Sequence, residues 1–165
     1  MTSHRPTLHL VCGKIAAGKS TLTATLANAD HTVLMSEDVW LKTLFADEMN
    51  TLKDYVRFSA RLRQVLQDHV INILNAGTSV VLDFPANTVE TRVWMKEITR
   101  NANADHVLHW LDVPDAGCIA RRHARNATGN HPFSVTEAQF AQVTAHFEAP
   151  REDEGFNVQI HRDRN

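Results

Sequence analysis

Gly13-Lys14-Ile15-Ala16-Ala17-Gly18-Lys19-Ser20 fits the pattern G-x-x-x-x-G-K-[ST] at every fixed position, directly after the apolar run Thr7-Leu8-His9-Leu10-Val11-Cys12. The run reads as a strand. The residues from Lys19 to Ala29 read as a helix, with Leu22, Leu26 and Ala29 at spacings of four and three. Phosphate binding needs this arrangement for a physical reason. The glycines let consecutive backbone N–H groups turn inward onto phosphate oxygens, and Ala16 and Ala17 have no bulk to obstruct that approach. The following helix points the positive end of its dipole at the same anion. Lys19 adds a cation toward the β- and γ-phosphates, and the Ser20 hydroxyl is a ligand for Mg²⁺. Thr21 is counted with the same nucleotide-binding stretch.

Outward from this loop, short apolar runs alternate with segments of helical period. His31 to Met35 reads as a second strand, followed by helices over Val39 to Glu48 and Leu52 to Asn75. The longer helix carries Leu62, Val65, Leu66, His69, Val70, Ile73 and Leu74 on one stripe, and Gly77 stands where a C-terminal glycine belongs. Ser79 to Asp83 is nearly continuously apolar, as strands covered on both faces are. Thr88 to Ala102 reads as a helix, His106 to Leu111 as a strand and Ala116 to Ala127 as a helix. Ser134-x-x-Glu137 opens a further helix as a capping box, Pro150 closes it, and Phe156 to His161 is the last strand. The order βαβααβαβααβ predicts an α/β fold with a parallel sheet flanked by helices, one domain across residues 1–165.

Composition bounds the class. The 165 residues are 43% hydrophobic and 22% charged, enough apolar content for a core without disulfides. Seventeen basic against nineteen acidic residues, a net charge of −2, argue against nucleic-acid binding by bulk electrostatics. Cys12 and Cys118 stand far apart with no CxxC, which excludes a disulfide framework and a zinc ribbon. No apolar run spans a bilayer and the N-terminus lacks the apolar region of a signal peptide, so a cytoplasmic location is expected. The ten histidines are scattered. His106 and His109 fall on opposite faces of one strand, which favours satisfied polar roles over a metal site.

Ser36-Glu37-Asp38 follows the second strand, and ligands of open parallel sheets sit beyond the carboxyl ends of the strands. Asp38 is therefore the candidate for accepting or positioning a proton on an attacking hydroxyl, with Glu37 a weaker candidate for contact with the substrate. The alternative is that Ser36 or Asp38 simply caps the helix. Asp83 ends the third strand in the position of a carboxylate that holds Mg²⁺ or a substrate group, its alternative being a turn before Pro85. Asn87 and Thr88 read as caps first, and Asp112, just before Pro114, as a turn. Arg121, Arg122 and Arg125 share roughly one helical face, from which guanidiniums close over a triphosphate or form a solvated basic face. The Gly129-Asn130-His131-Pro132 segment beyond fits a mobile lid.

GKIAAGKS, SED, VVLDFPANT, LDVPDAGCIARRHARN and FEAPREDEGFNV together resemble the small P-loop kinases grouped as zeta-toxin-like or AAA-type ATP-binding proteins, over about residues 6 to 161. The resemblance implies a three-layer αβα P-loop fold with a five-stranded parallel sheet in the order 2-3-1-4-5 and a short helical lid at about residues 117–135. It implies ATP and Mg²⁺ as co-substrates and phosphoryl transfer to a hydroxyl of a small molecule. Lys19 and Ser20 would be the Walker A pair, Asp38 the residue that activates the acceptor, and Arg121 and Arg125 lid arginines. Many such kinases carry an arginine three residues after that aspartate, where Leu41 stands here, and Arg92 is the candidate substitute charge on the substrate. The alternatives are a polynucleotide 5′-hydroxyl kinase and a regulatory ATP-binding protein or slow ATPase.

Overall fold

A computed structural model describes residues 4–14, 18–113 and 147–162. Strands β1 (Thr7–Gly13), β2 (Thr32–Ser36), β3 (Ser79–Pro85), β4 (Asp105–Asp112) and β5 (Val158–Arg162) pair in parallel throughout, in the order β2-β3-β1-β4-β5. The expected strand order is therefore the observed one. β3 lies between β1 and β2 and is the most buried strand, as its unbroken apolar run requires.

Helix α1 (Lys19–Ala27) packs on β1, β2 and β3. Helices α2 (Glu37–Phe45), α3 (Leu52–Asn75) and α4 (Val89–Asn101) complete the described helical set. The main core forms where Leu8, Leu10 and Cys12 of β1 and Val80, Leu82 and Phe84 of β3 meet Leu62, Leu66, Val70 and Leu74 of α3 and Met95 and Ile98 of α4. The opposite residues of the same strands, among them Val11, Val81, His109 and Leu111, are also buried. No described helix is long and apolar enough to cross a membrane.

Three boundaries differ from the sequence expectation for local reasons. α2 begins at Glu37 rather than Val39, because extended Ser36 occupies the cap position and both acids fall in the first turn, where they complement the helix dipole. The buried stripe of α3 runs through Phe58, Ser59, Leu62, Leu66, Val70 and Leu74, while Val65 is 73% exposed and His69 is exposed. On α1 it is Thr23 that is buried, with Leu22 and Leu26 only partly covered. α3 ends as expected on Gly77, whose φ of 94° lies in the left-handed region. Gly77 N–H donates to the Leu74 carbonyl at 2.9 Å and Thr78 N–H to that of Ile73 at 3.3 Å, a Schellman closure. The helices expected over Ala116 to Ala127 and from Ser134, and the lid at 117–135, lie outside the described residues.

Candidate active site

The β2–β3 register sets Ser36 beside Asp83, so Asp38, two residues further on, stands over the same end of the sheet. Asp38 is exposed and Asp83 half-buried. Burial pushes the Asp83 carboxyl above its usual range and the like charge of Asp38 adds to the rise, while Lys19 and the Thr23 hydroxyl oppose it. Charges perturb one another in this way over about 4–6 Å. Asp38, Asp83 and Lys19 therefore share one crevice.

The phosphate loop forms the other wall. Gly18 adopts φ 103° and ψ 17°, a left-handed conformation that a side chain would strain, and its carbonyl accepts from Leu22 N–H at 3.2 Å to start α1. Lys19 Nζ arches back over the loop and donates to the carbonyls of Gly13 at 2.5 Å and Lys14 at 3.1 Å. Ser20 and Thr21 are exposed in the first turn of α1, and Lys14 Nζ stands 6.0 Å from the centre of the Phe147 ring. Ile15, Ala16 and Ala17 lie outside the described residues, as do Arg121, Arg122 and Arg125.

Asn87 has a role its reading as a cap did not contain. Its Oδ1 accepts from Gly13 N–H at 2.9 Å and its carbonyl from Glu148 N–H at 2.8 Å, so one residue ties the loop to the segment that precedes β5. The α4 cap is Thr88, whose hydroxyl accepts from Thr91 N–H. The Asn87–Gly13 contact spans 74 residues, and nothing in either local sequence announces it.

Two expected substrate residues are corrected. Arg92 does not face the crevice. It is fully buried, donating to the carbonyls of Ala86 at 2.9 Å, Glu148 at 2.8 Å and Ala149 at 3.4 Å and to both carboxylate oxygens of Glu154, the nearer at 2.7 Å. All that guanidinium's directional capacity is used within the fold. Glu37, 1% exposed, also turns away from the crevice. It accepts from the Tyr55 hydroxyl on Oε1 and from Ser59 Oγ on Oε2 at 2.7 Å. The missed signal is the same for both. Ser59 and Arg92 stand on the core-facing stripes of α3 and α4, and a polar residue on such a stripe requires a buried partner.

Leu41, where many P-loop kinases carry arginine, is fully buried. Cys12, next to the loop, is also buried, which pushes its thiol up to about 12 and keeps it from ionising. Asp112 meets Arg162 on β5 at 3.6 Å. His9, His109 and His161 form a hydrogen-bonded row across β1, β4 and β5, each ring nitrogen pair 3.0 Å apart, while His106 meets Phe156 edge-on. Burial, with His9 and His161 adding to it, lowers His109 to about 4.

The oxygen donors present suit a divalent cation. A carboxyl that burial and a second carboxylate render costly to ionise is relieved by a nearby dication, and Mg²⁺ takes hydroxyl and carboxylate oxygens. Ser20 and Asp83 supply those two donor types.

The sequence profile of the AAA domain family matches residues 8–150. Among curated proteins none matches. A candidate kinase from Chloroflexus aurantiacus is similar in structure, with a TM-score of 0.74 at 20% identity, covering 96% of this chain and 86% of that one. The APS kinase CysC of Mycobacterium tuberculosis, solved with AMPPNP and APS, gives 0.65 at 15% identity over 98% and 90%. In the Pnkp1/Rnl/Hen1 RNA repair complex, one chain gives 0.65 at 19% identity, over 88% of this chain and 45% of that one.

Proposed function

The chain belongs to the AAA domain family, and we propose that it is an ATP- and Mg²⁺-dependent phosphotransferase acting on a hydroxyl of a small molecule. The observation that carries the reading is the meeting of Asp38, Asp83 and Lys19 at the carboxyl ends of β1, β2 and β3, beside a loop built for phosphate. A nucleotide-bound APS kinase with the same fold supports ATP as donor.

Asp38, exposed at the crevice, holds the acceptor hydroxyl in line with the γ-phosphorus and takes its proton as the new O–P bond forms. The bond from the γ-phosphorus to the β,γ-bridging oxygen breaks, and ADP leaves with that oxygen. The ammonium of Lys19, within reach of the loop carbonyls, turns to the β- and γ-phosphate oxygens and offsets their charge. Ser20 and Asp83 would hold Mg²⁺, which when bound neutralises charge on the phosphates. Asp38 and the Walker lysine thus divide the work between acceptor and donor. Arg121 and Arg125 are proposed as the lid guanidiniums on the transferring group.

The test is transfer from γ-labelled ATP to a panel of nucleosides, sugars, aminoglycosides and 5′-hydroxyl oligonucleotides, with Asp38→Asn beside the wild type. Transfer to a small molecule that Asp38→Asn cuts by about 100-fold or more, with ATP affinity intact, supports the reading. Label appearing only on the oligonucleotide replaces it with a polynucleotide kinase. ATP turnover that no hydroxyl compound stimulates, and that Asp38→Asn leaves unchanged, replaces it with a regulatory ATPase.

A further inference from the structure

We propose that Glu37 is a positioning residue, and that the hydrogen-bond chain Arg63–Ser59–Glu37–Tyr55 locks the first turn of α2 so that Asp38 is aimed at the reacting hydroxyl. This rests on the role given to Asp38 above.

Chemistry fixes the direction of the chain. A guanidinium only donates, so Arg63 NH1 gives its hydrogen to Ser59 Oγ at 3.1 Å. The single Ser59 proton is then left for Glu37 Oε2 at 2.7 Å, and the Tyr55 hydroxyl donates to Oε1. Both carboxylate oxygens are engaged, and the positive charge of Arg63 reaches Glu37 through one serine rather than by direct contact.

The charged and titratable groups facing Glu37 are Asp38 on its own helix and Tyr55 and Arg63 on α3. Burial raises the Glu37 carboxyl and Asp38 adds to that, while Tyr55, Ser59 and Arg63 pull it back. As an anchor between two helices this is a poor choice, because an apolar pair would pack without the cost of burying a charge. Direction is what it supplies. Apolar contact resists separation but tolerates rotation and sliding, whereas two hydrogen bonds on one carboxylate fix the helix about its own axis.

A second observation isolates the need for such a lock. The caps of α3 and α4, Thr51 and Thr88, each accept a backbone N–H with the side chain. Ser36, at the cap of α2, makes no such bond. The nine-residue helix that carries Asp38 therefore starts without a side-chain cap, and the next residue, Glu37, ties it to α3 instead. A displacement of about 1 Å at a reacting group costs up to about 100-fold in rate.

The experiment compares Tyr55→Phe/Ser59→Ala and Glu37→Gln, each alone and combined with Asp38→Asn, in the full chain. The reaction followed is release of inorganic phosphate from Mg·ATP with water as acceptor. Amide exchange across residues 37–45 is measured in parallel. Removing the two hydroxyls is expected to lower kcat by about 10- to 100-fold with KM for ATP within about twofold. Exchange should quicken in the first turn of α2 and not in α3. In the Asp38→Asn background the same changes should add less than about twofold, since they act through Asp38. A full additional loss there overturns the proposal, as does a KM for ATP that rises in step with the fall in kcat. Unchanged turnover and unchanged α2 exchange in the hydroxyl-less variant, with Asp38→Asn inactive, overturn this proposal and leave the role of Asp38 standing. If Asp38→Asn turns over like the wild type, the role of Asp38 fails and this proposal with it.

Discussion

Arg92 and Glu37 are both almost fully buried, both stand in the first turn of a helix, and both reach across to a partner distant in sequence. Their surroundings differ. Arg92 meets an opposite charge directly, Glu154 at 2.7 Å, and spends its remaining donors on three backbone carbonyls. Glu37 meets only hydroxyls, with its cation one residue removed and a second carboxylate beside it. The contrast separates two uses of a buried charge. A directly paired, fully bonded ion holds segments together and contributes to the folded state. A charge left short of compensation costs folding free energy, and is retained where orientation matters more than stability.

The contrast breaks first at Arg92. Arg92→Met strands the Glu154 carboxylate and the carbonyls of Glu148 and Ala149, and should cost about 3–5 kcal/mol in urea unfolding. If it costs no more than a surface substitution, Arg92 is not the brace described here.

His109 extends the comparison to a buried group that stays neutral. Its folded value of about 4 lies below the ordinary 6.5, so the unfolded chain binds the extra proton and stability falls as pH drops from 6.5 toward 4. Between neutral pH and about pH 5 the loss from this residue alone should be about 2 kcal/mol. His109→Phe should flatten that limb of the stability profile, and an unchanged limb would assign the acid sensitivity elsewhere.

Thr51→Ala removes the cap of α3 without touching Tyr55 or Ser59, and should lower stability by about 1 kcal/mol while kcat stays near wild type. A large loss of turnover would mean that any loosening of α3 disturbs Asp38.

Glu37→Gln should move stability least. A carboxyl whose folded value is raised binds its proton more readily in the native state, so its ionised form weakens folding as pH rises above 4.5. Replacing it by a neutral isostere should leave thermal unfolding at neutral pH unchanged or slightly raised while turnover falls. Stability lost in step with turnover would put Glu37 in the same class as Arg92.

The backbone frame was legible because its signals are local. The loop pattern, the apolar run Val80-Val81-Leu82 and Gly77 each act on immediate neighbours, and each lies where it was expected. Asp38 and Asp83 were legible for a similar reason, since strand ends in a parallel sheet converge by topology alone. What was not legible was orientation within a turn. Glu37 and Asp38 are adjacent, yet one turns inward and the other faces solvent, and the choice is made by Tyr55 and Ser59 on another helix. Arg92 was misassigned because its charge was weighed without its place on the stripe shared with Met95 and Ile98.

The pairing of β1 with β3 runs Leu8↔Val80, His9↔Val81, Leu10↔Leu82 and then jumps to Val11↔Pro85. Side chains on a strand alternate between its two faces, so parity decides which way Asp83 points. Leu82 and Phe84 belong to the main core, and Asp83 between them faces the side of Thr23 and Lys19. Deleting or inserting one residue before Asp83 would turn its carboxyl into the apolar layer under α3 and α4 and bring a leucine or phenylalanine to the crevice. In this strand, length can change without exchanging crevice for core only by even steps.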